Sequence, residues 1–274
     1  MPKGGLTRQE DRPIFASKSA MYVQKAPYEA IASIYDFLMR HVDYRRWVGY
    51  LKALWTRFDP GRPDICELAC GTGNIALELW RRGHRISAAS DASEAMLARA
   101  REKARRVGAE ISFVRADLRD LSPLGKFKVL LCVYDSINYL PEGEFPEALR
   151  QAYMHLSPGG LFIFDICTEA NSMKYFLDYT EVESGPGFSY ERRSRYEPEE
   201  RVQYTYFKVR LAGDPRIYCE THRQWIYPVE WVVERIGESP FELLGAFSDF
   251  TFKGVRGGEA NRVHFVLRKE GRWR

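Results

Sequence analysis

Apolar residues recur along this chain with two different periods, and the places where the period switches outline its architecture. From Pro27 onward, Ile31, Ile34, Tyr35 and Leu38 fall on one face of a helix. Asp43 offers an N-cap carboxylate, after which Trp47, Leu51, Leu54, Trp55 and Phe58 repeat the helical spacing. The turn-rich segment FDPGRP at 58–63 ends this pair of helices. The pattern then predicts a strand over 64–69, a helix over 73–82, a strand over 85–90, a helix over 93–107, strands over 110–116 and 127–134, a helix over 143–156, and a strand over 160–166 entered through the SPGG turn at 157–160. Strands that alternate with helices predict a parallel sheet covered on both faces.

After residue 185 the texture becomes aromatic and β-branched, broken by EPEE at 197–200 and GDP at 213–215. Three antiparallel strands are expected there, over 187–196, 201–212 and 216–227. A short helix over 229–236 and strands over 241–250 and 261–269 would complete the main sheet. The expected fold is α/β, with a seven-stranded, mostly parallel sheet and helices on both faces. A helical cover occupies 26–60, a ligand-binding core 64–166 and an antiparallel insertion 186–228, with the last helix and strands in 229–274.

Composition narrows the function classes. The 274 residues are 45% hydrophobic and 28% charged, without an apolar run near the ~18 residues a membrane helix needs. A net charge of +4, from 41 basic and 37 acidic side chains spread along the chain, is too mild to argue for nucleic acid. Cys66, Cys70, Cys132, Cys167 and Cys219 form no CxxC pair, and most lie in or beside apolar runs, as free thiols in a reducing compartment do. Residues 1–25 lack the apolar stretch of a secretory signal and are expected to be a flexible tail of a cytoplasmic protein. The histidines His41, His84, His155 and His264 are scattered, and no spacing suggests a metal site.

In an open parallel sheet, ligands bind at the carboxyl ends of the strands, so polar residues just after strands carry the most information. The first such stretch, ICELACGTGNIA at 65–76, contains Gly71-x-Gly73-x-x-Ala76, whose missing Cβ atoms admit a ligand to a helix N-terminus. That spacing alone suits a dinucleotide as in an NAD-dependent oxidoreductase. Glu67 argues against one, because a carboxylate beside the turn repels a pyrophosphate and favours a cationic ligand. Asp91 lies where an acid accepts ribose hydroxyls, with Ser93 the better cap for the following helix. Asp117 ends the third strand and can accept an exocyclic amino group.

The pattern Glu67-x-Ala69-x-Gly71-x-Gly73, followed by Asp91 and Asp117, resembles the motifs of class I S-adenosylmethionine-dependent methyltransferases, over about residues 64–166. The resemblance implies a Rossmann-like fold and S-adenosylmethionine as cofactor, with S-adenosylhomocysteine as product. It puts Glu67, Ala69, Cys70, Gly71, Thr72 and Gly73 beside the amino-acid end of the cofactor, and Asp91 with Ala92 at its ribose. Asp117, Leu118 and Met96 would surround the adenine. Ala69 departs from the glycine that many members carry there.

The loop YDSINYL at 134–140, together with the early YEAIASIYDFLMRHVDYRRW, resembles a bacterial subgroup whose N-terminal helices fold over the cofactor. Tyr28, Tyr35 and Trp47 would then line its methionine end, with Tyr134 in the loop beside the transferring methyl, although an aromatic stripe packed in the core has the same spacing. Tyr35, Asp135, Asn138 and His222 are the candidates on the acceptor side. Capping of the next turn competes for Asp135 and Asn138. Period-two alternation sets Glu220, His222 and Gln224 on one face of a strand and Arg223 on the other. The aromatic-rich insertion favours a small-molecule N or O acceptor enclosed away from water. Nucleic acid and ribosomal protein are the less favoured acceptors, a cofactor-binding module without turnover is the non-enzymatic alternative, and a monomer or homodimer is expected.

Overall fold

The structure is a computed structural model and describes residues 21–58, 61–255 and 259–270. Its centre is strand β2 (Ile65–Leu68), an ICEL run buried along its whole length because helices cover both faces of the sheet. Before it stand a short strand β1 (Met21–Lys25), a 3₁₀ turn at Ile31–Ser33, a single helical turn α1 (Tyr35–Leu38), and α2 (Tyr44–Phe58). After it come α3 (Asn74–Arg81), β3 (Ile86–Asp91), α4 (Glu94–Val107), β4 (Ser112–Arg115), β5 (Phe127–Cys132), α5 (Phe145–Met154) and β6 (Leu156–Cys167). The chain continues through α6 (Glu169–Tyr175), β7 (Asp178–Gly185), β8 (Phe188–Glu197), β9 (Val202–Leu211), β10 (Arg216–Trp225), α7 (Val229–Gly237), β11 (Phe241–Ser248) and β12 (Arg262–Lys269).

The main sheet has seven strands in the order β11-β12-β6-β5-β2-β3-β4, and β12 runs antiparallel to both neighbours. This is the expected mostly parallel α/β sheet. One face packs Leu130, Phe162 and Phe164 against α5 and α7 through Leu149, Val232 and Ile236. The other packs Ile65, Leu131 and Ile163 against α2, α3 and α4 through Leu51, Leu77 and Leu97. The strand order reverses between β2 and β5, so the crevice of the open sheet lies at the ends of these strands.

A second sheet of five strands, β1-β10-β9-β8-β7, stands over that crevice. Three of its strands were expected; two were not. Residues 21–25, read from sequence as part of a flexible tail, form β1 and pair in parallel with β10. Residues 1–20 lie outside the described residues, as do 59–60 of the FDPGRP turn. Strand β7 is an edge strand with Asp178, Glu181 and Glu183 along it, the charged pattern by which edges resist further pairing.

The expected N-terminal helix is also broken. Tyr28 has a left-handed backbone (φ 65°), and the amides of Tyr28, Ala30 and Ile31 are satisfied by Glu220 from far along the chain, so the helical period of Ile31, Ile34 and Tyr35 is used by two separate turns. Ile31, Ile34 and Met96 form a third cluster with Tyr190, Phe207 and Val209, which fastens this segment between α4 and the second sheet.

Candidate active site

The second sheet, the N-terminal segment and the carboxyl ends of β2, β3 and β5 enclose a cavity of about 1020 Å³. That is at the upper end of small-molecule sites, which run to roughly 1,000 Å³, and leaves room for two reactants side by side.

The floor is the glycine turn. Ala69 (φ 51°) and Gly71 (φ 56°) both have left-handed backbones, so an L-residue at 69 carries strain of about 1 kcal/mol that glycine would not. Gly71 faces the cavity with its amide donating to Asp91 Oδ2 at 2.8 Å. Cys70 and Thr72 line the same turn, and Thr72 Oγ1 donates to Asp36 Oδ1 at 2.7 Å, pinning α1 to the loop. Gly73 is a correction. It lies off the cavity, and a Cβ there would come within 3.1 Å of both Ala100 and Phe113, so this glycine admits α4 and β4 rather than a ligand.

Glu67 sits beside this turn, 3% exposed. Burial pushes its carboxyl up to about 8, with the Ala76 backbone opposing and Asp91 adding to the rise. Its Oε2 is buried without a hydrogen-bond partner. An orphaned carboxylate oxygen at the cavity wall can accept from an ammonium donor or pair with a cation.

Asp91 closes β3. Its Oδ1 accepts the Ser93 amide at 2.8 Å and its carboxyl is raised by burial, against the two backbone amides that donate to it. Ser93 caps α4 by accepting from the Met96 amide, as the sequence suggested. Ala92, Met96 and Leu118 continue the wall, and Met96 is shared with the third core cluster. Asp117 is half-buried and held by Arg119, whose Nε and Nη2 donate at 2.7 Å each; these bonds keep its carboxyl below the usual range.

The loop after β5 carries Tyr134 (φ 64°) and Asp135 (φ 51°), two consecutive left-handed residues. Asp165, fully buried on β6, holds both by accepting the Tyr134 amide at 2.7 Å and the Asp135 amide at 3.0 Å. Arg262 from β12 donates to Asp165 and, at 2.6 Å, to Asp135 Oδ1, while Gln224 Nε2 reaches Asp135 Oδ2 at 2.6 Å. Burial raises the Asp135 carboxyl and Arg262 opposes that rise.

Asn138 and Trp47 are further corrections, since neither lines the cavity. Asn138 is fully buried and clips two strands, donating to the Trp225 carbonyl at 2.7 Å and accepting the Cys167 amide at 3.1 Å. Trp47 stands behind Tyr134, ring centroids 5.4 Å apart, and supports it from the core.

The roof comes from β8, β9 and β10. Glu220, His222 and Gln224 alternate inward with Thr221 and Arg223 exposed, as period-two spacing predicts. His222 Nε2 lies 2.9 Å from Glu220 Oε2 and its Nδ1 lies 3.0 Å from the Tyr139 hydroxyl, which is 2.6 Å from the Tyr28 hydroxyl. The Glu220 carboxylate also accepts the amides of Tyr28 (2.9 Å), Ala30 and Ile31 (3.0 Å). Since that carboxylate only accepts, Nε2 carries the imidazole hydrogen and Nδ1 is free to accept from Tyr139. Tyr28 packs edge-on against His222 at 4.7 Å and against Tyr35 at 6.0 Å, and burial raises both phenols.

Sequence reasoning missed Tyr139 and Arg262. Tyr139 lies within the YDSINYL loop and is adjacent to Asn138, but the side each faces is set by the 3₁₀ turn at Ser136–Tyr139. Arg262 carries no local signal, because its partners lie 127 and 97 residues away.

Residues 65–160 match the family described as "Methyltransferase domain". The "Putative methyltransferase YqeM" of Bacillus subtilis (strain 168) is 30% identical over 228 residues, covering 82% of this chain and 90% of that protein. A dTDP-3-amino-3,6-dideoxy-alpha-D-glucopyranose N,N-dimethyltransferase of Streptomyces fradiae is 29% identical over 154 residues, 55% of this chain and 58% of that one. The crystal structure of an S-adenosylmethionine-dependent methyltransferase from Clostridium acetobutylicum ATCC 824 superposes with a TM-score of 0.74 at 24% identity, covering 89% of this chain and 99% of that one.

The residues present fit the group such a family uses: an orphaned buried carboxylate oxygen for the ammonium of its amino-acid end, a glycine turn with an open backbone, and an acid at the end of β3. The awkward place of Glu67 in a dinucleotide site is thereby resolved. The chain belongs to the class I S-adenosylmethionine-dependent methyltransferases.

Proposed function

We propose that this enzyme methylates a nitrogen or oxygen of a small molecule held between the glycine turn and the second sheet. The observation that carries the reading is the hydrogen-bonded chain Tyr28–Tyr139–His222–Glu220 under the second sheet, whose first three members line the cavity while Glu220 lies behind them. A relative that dimethylates an amino sugar supports a small acceptor, as does a cavity closed by aromatic side chains.

The cofactor supplies a methyl group already activated on a sulfonium, so the protein's tasks are alignment, water exclusion and proton removal. Glu67 and the glycine turn at 69–72 would take the amino-acid end of S-adenosylmethionine, Asp91 its ribose, and Asp117 with Leu118 its adenine. Tyr28, Tyr35 and Tyr134 would wall off water around the reacting atoms. Asp135, fixed by Arg262 and Gln224, presents a carboxylate rim to the acceptor. The proton that a methylated acceptor must shed would pass to the Tyr139 oxygen while the Tyr139 proton moves to His222 Nδ1. Glu220 stabilises the imidazolium from the other side. Asn138 and Trp47 act as positioning residues for this loop.

The test is incorporation of labelled methyl from S-adenosylmethionine into a panel of small amines, alcohols and carboxylates, beside total RNA and ribosomal protein. Saturable label in the small-molecule fraction is expected. Label confined to RNA or ribosomal protein would overturn the reading.

A further inference from the structure

Strand β8 reads FSYERRSRYE, and its inward positions are Tyr190, Arg192, Ser194 and Tyr196. Tyr190, Ser194 and Tyr196 are buried, whereas Arg193 and Arg195 face solvent. Arg192 thus places a guanidinium on the cavity side of the second sheet, directly opposite Phe207 on β9, itself directly opposite Glu220 on β10.

The other arginines of the cavity wall are occupied. Arg119 is bound to Asp117 and Glu144, and Arg115 Nε donates to the Ala92 carbonyl. Arg192 makes no hydrogen bond or ion pair among the described residues, not even with Glu181 across β7, and its buried Nε is without a partner. What it does have is a collar of rings: Phe176 at 5.3 Å, Tyr179 at 5.7 Å and Phe207 at 5.9 Å from the guanidinium carbon. Aromatic rings attract the positive charge but accept no strong hydrogen bond, so these contacts leave the guanidinium N–H donors free for an oxyanion. Phe207, opposite Arg192 on β9, packs edge-on against His222 with ring centroids 5.2 Å apart, so the guanidinium lies near the acceptor end of the cavity.

We infer that Arg192 binds an anionic group of the methyl acceptor, a carboxylate or a phosphate, and so selects acidic acceptors. The inference rests on the small-molecule reading of the site and names its substrate class. An unpartnered buried donor costs free energy in the unliganded protein, and an oxyanion ligand removes that cost.

The experiment uses the full-length protein saturated with S-adenosylhomocysteine and titrated calorimetrically with phenyl phosphate, benzoate and, as the neutral control, benzyl alcohol. The wild type is expected to bind at least one anion saturably, with Arg192→Gln weakened by roughly tenfold or more and Arg192→Lys intermediate, since lysine keeps the charge but loses the fork. The stronger anion identifies the group. Affinity for S-adenosylhomocysteine should remain within about twofold in both variants, which also shows that they are folded.

Three results would overturn the inference: no saturable anion binding by the wild type, anion binding that survives in Arg192→Gln, or a loss of S-adenosylhomocysteine affinity in both variants, which would give Arg192 to the cofactor's own carboxylate. Because these readouts need no turnover, they are independent of the labelled-methyl assay. An Arg192-dependent anion site with label only in RNA would reject the small-molecule reading, and label in neutral small molecules without an anion site would reject this inference alone.

Discussion

The Tyr28 amide donates to Glu220 Oε2 at 2.9 Å, a bond that joins residues 192 positions apart and ties the N-terminal segment to the second sheet. The same carboxylate holds Ala30, Ile31 and His222. In Glu220→Gln the side chain keeps one acceptor oxygen and turns a donor toward amides that need acceptors, at a cost of about 1–3 kcal/mol. Amide hydrogen exchange over residues 28–34 is expected to accelerate while that of β2 is unchanged. Equal protection of 28–34 in the variant and the wild type would contradict this coupling.

Tyr139→Phe removes the hydroxyl between Tyr28 and His222 and leaves the rings packed. Turnover of an acceptor that must lose a proton is expected to fall by about 10²-fold, with KM for S-adenosylmethionine nearly constant. A rise in that KM at unchanged turnover would move Tyr139 to the cofactor side.

Glu67 couples cofactor affinity to pH. Its carboxyl titrates at about 8 in the unliganded fold, against an ordinary value of 4.5. The unfolded chain thus loses this proton first, and the unliganded protein loses stability as pH rises from 4.5 to 8. A bound cation favours the carboxylate, so binding expels a proton, and S-adenosylmethionine affinity should increase with pH up to about 8 and then level off. Calorimetry in buffers of different ionisation enthalpy measures that proton. Glu67→Gln is expected to abolish its release and weaken binding.

Arg262 sits between Asp135 and Asp165, and Arg262→Met leaves both carboxylates buried without their cation. Removing one partner of such a cluster costs about 3–5 kcal/mol. The denaturant midpoint should fall accordingly, and S-adenosylhomocysteine affinity should fall with it, because the Tyr134–Asp135 loop loses its brace. A midpoint within error of the wild type would show that the loop holds itself.

Much of this arrangement was legible in the sequence, for reasons that also explain the gaps. The strands and helices of the main sheet follow from apolar period, and Glu67 and Asp91 stand out because each closes or adjoins a strand whose end faces the crevice. Gly73, Trp47 and Asn138 share those neighbourhoods in sequence but turn into packing, and only the backbone path decides which way a side chain faces. Strand β1 was hidden because its partner, β10, lies almost two hundred residues away. Arg192 was hidden in a run of arginines whose inward member is chosen by the register of β8 against β9.

The central claim is that one cavity has a cofactor end at Asp91 and an acceptor end at His222. Calorimetric titration of S-adenosylhomocysteine into wild type, Asp91→Ala and His222→Ala tests it directly, with folding of each variant checked by its melting transition. A loss of about tenfold or more is expected for Asp91→Ala and an affinity close to wild type for His222→Ala. Unchanged affinity in a folded Asp91→Ala protein, or an equal loss in His222→Ala, would contradict it.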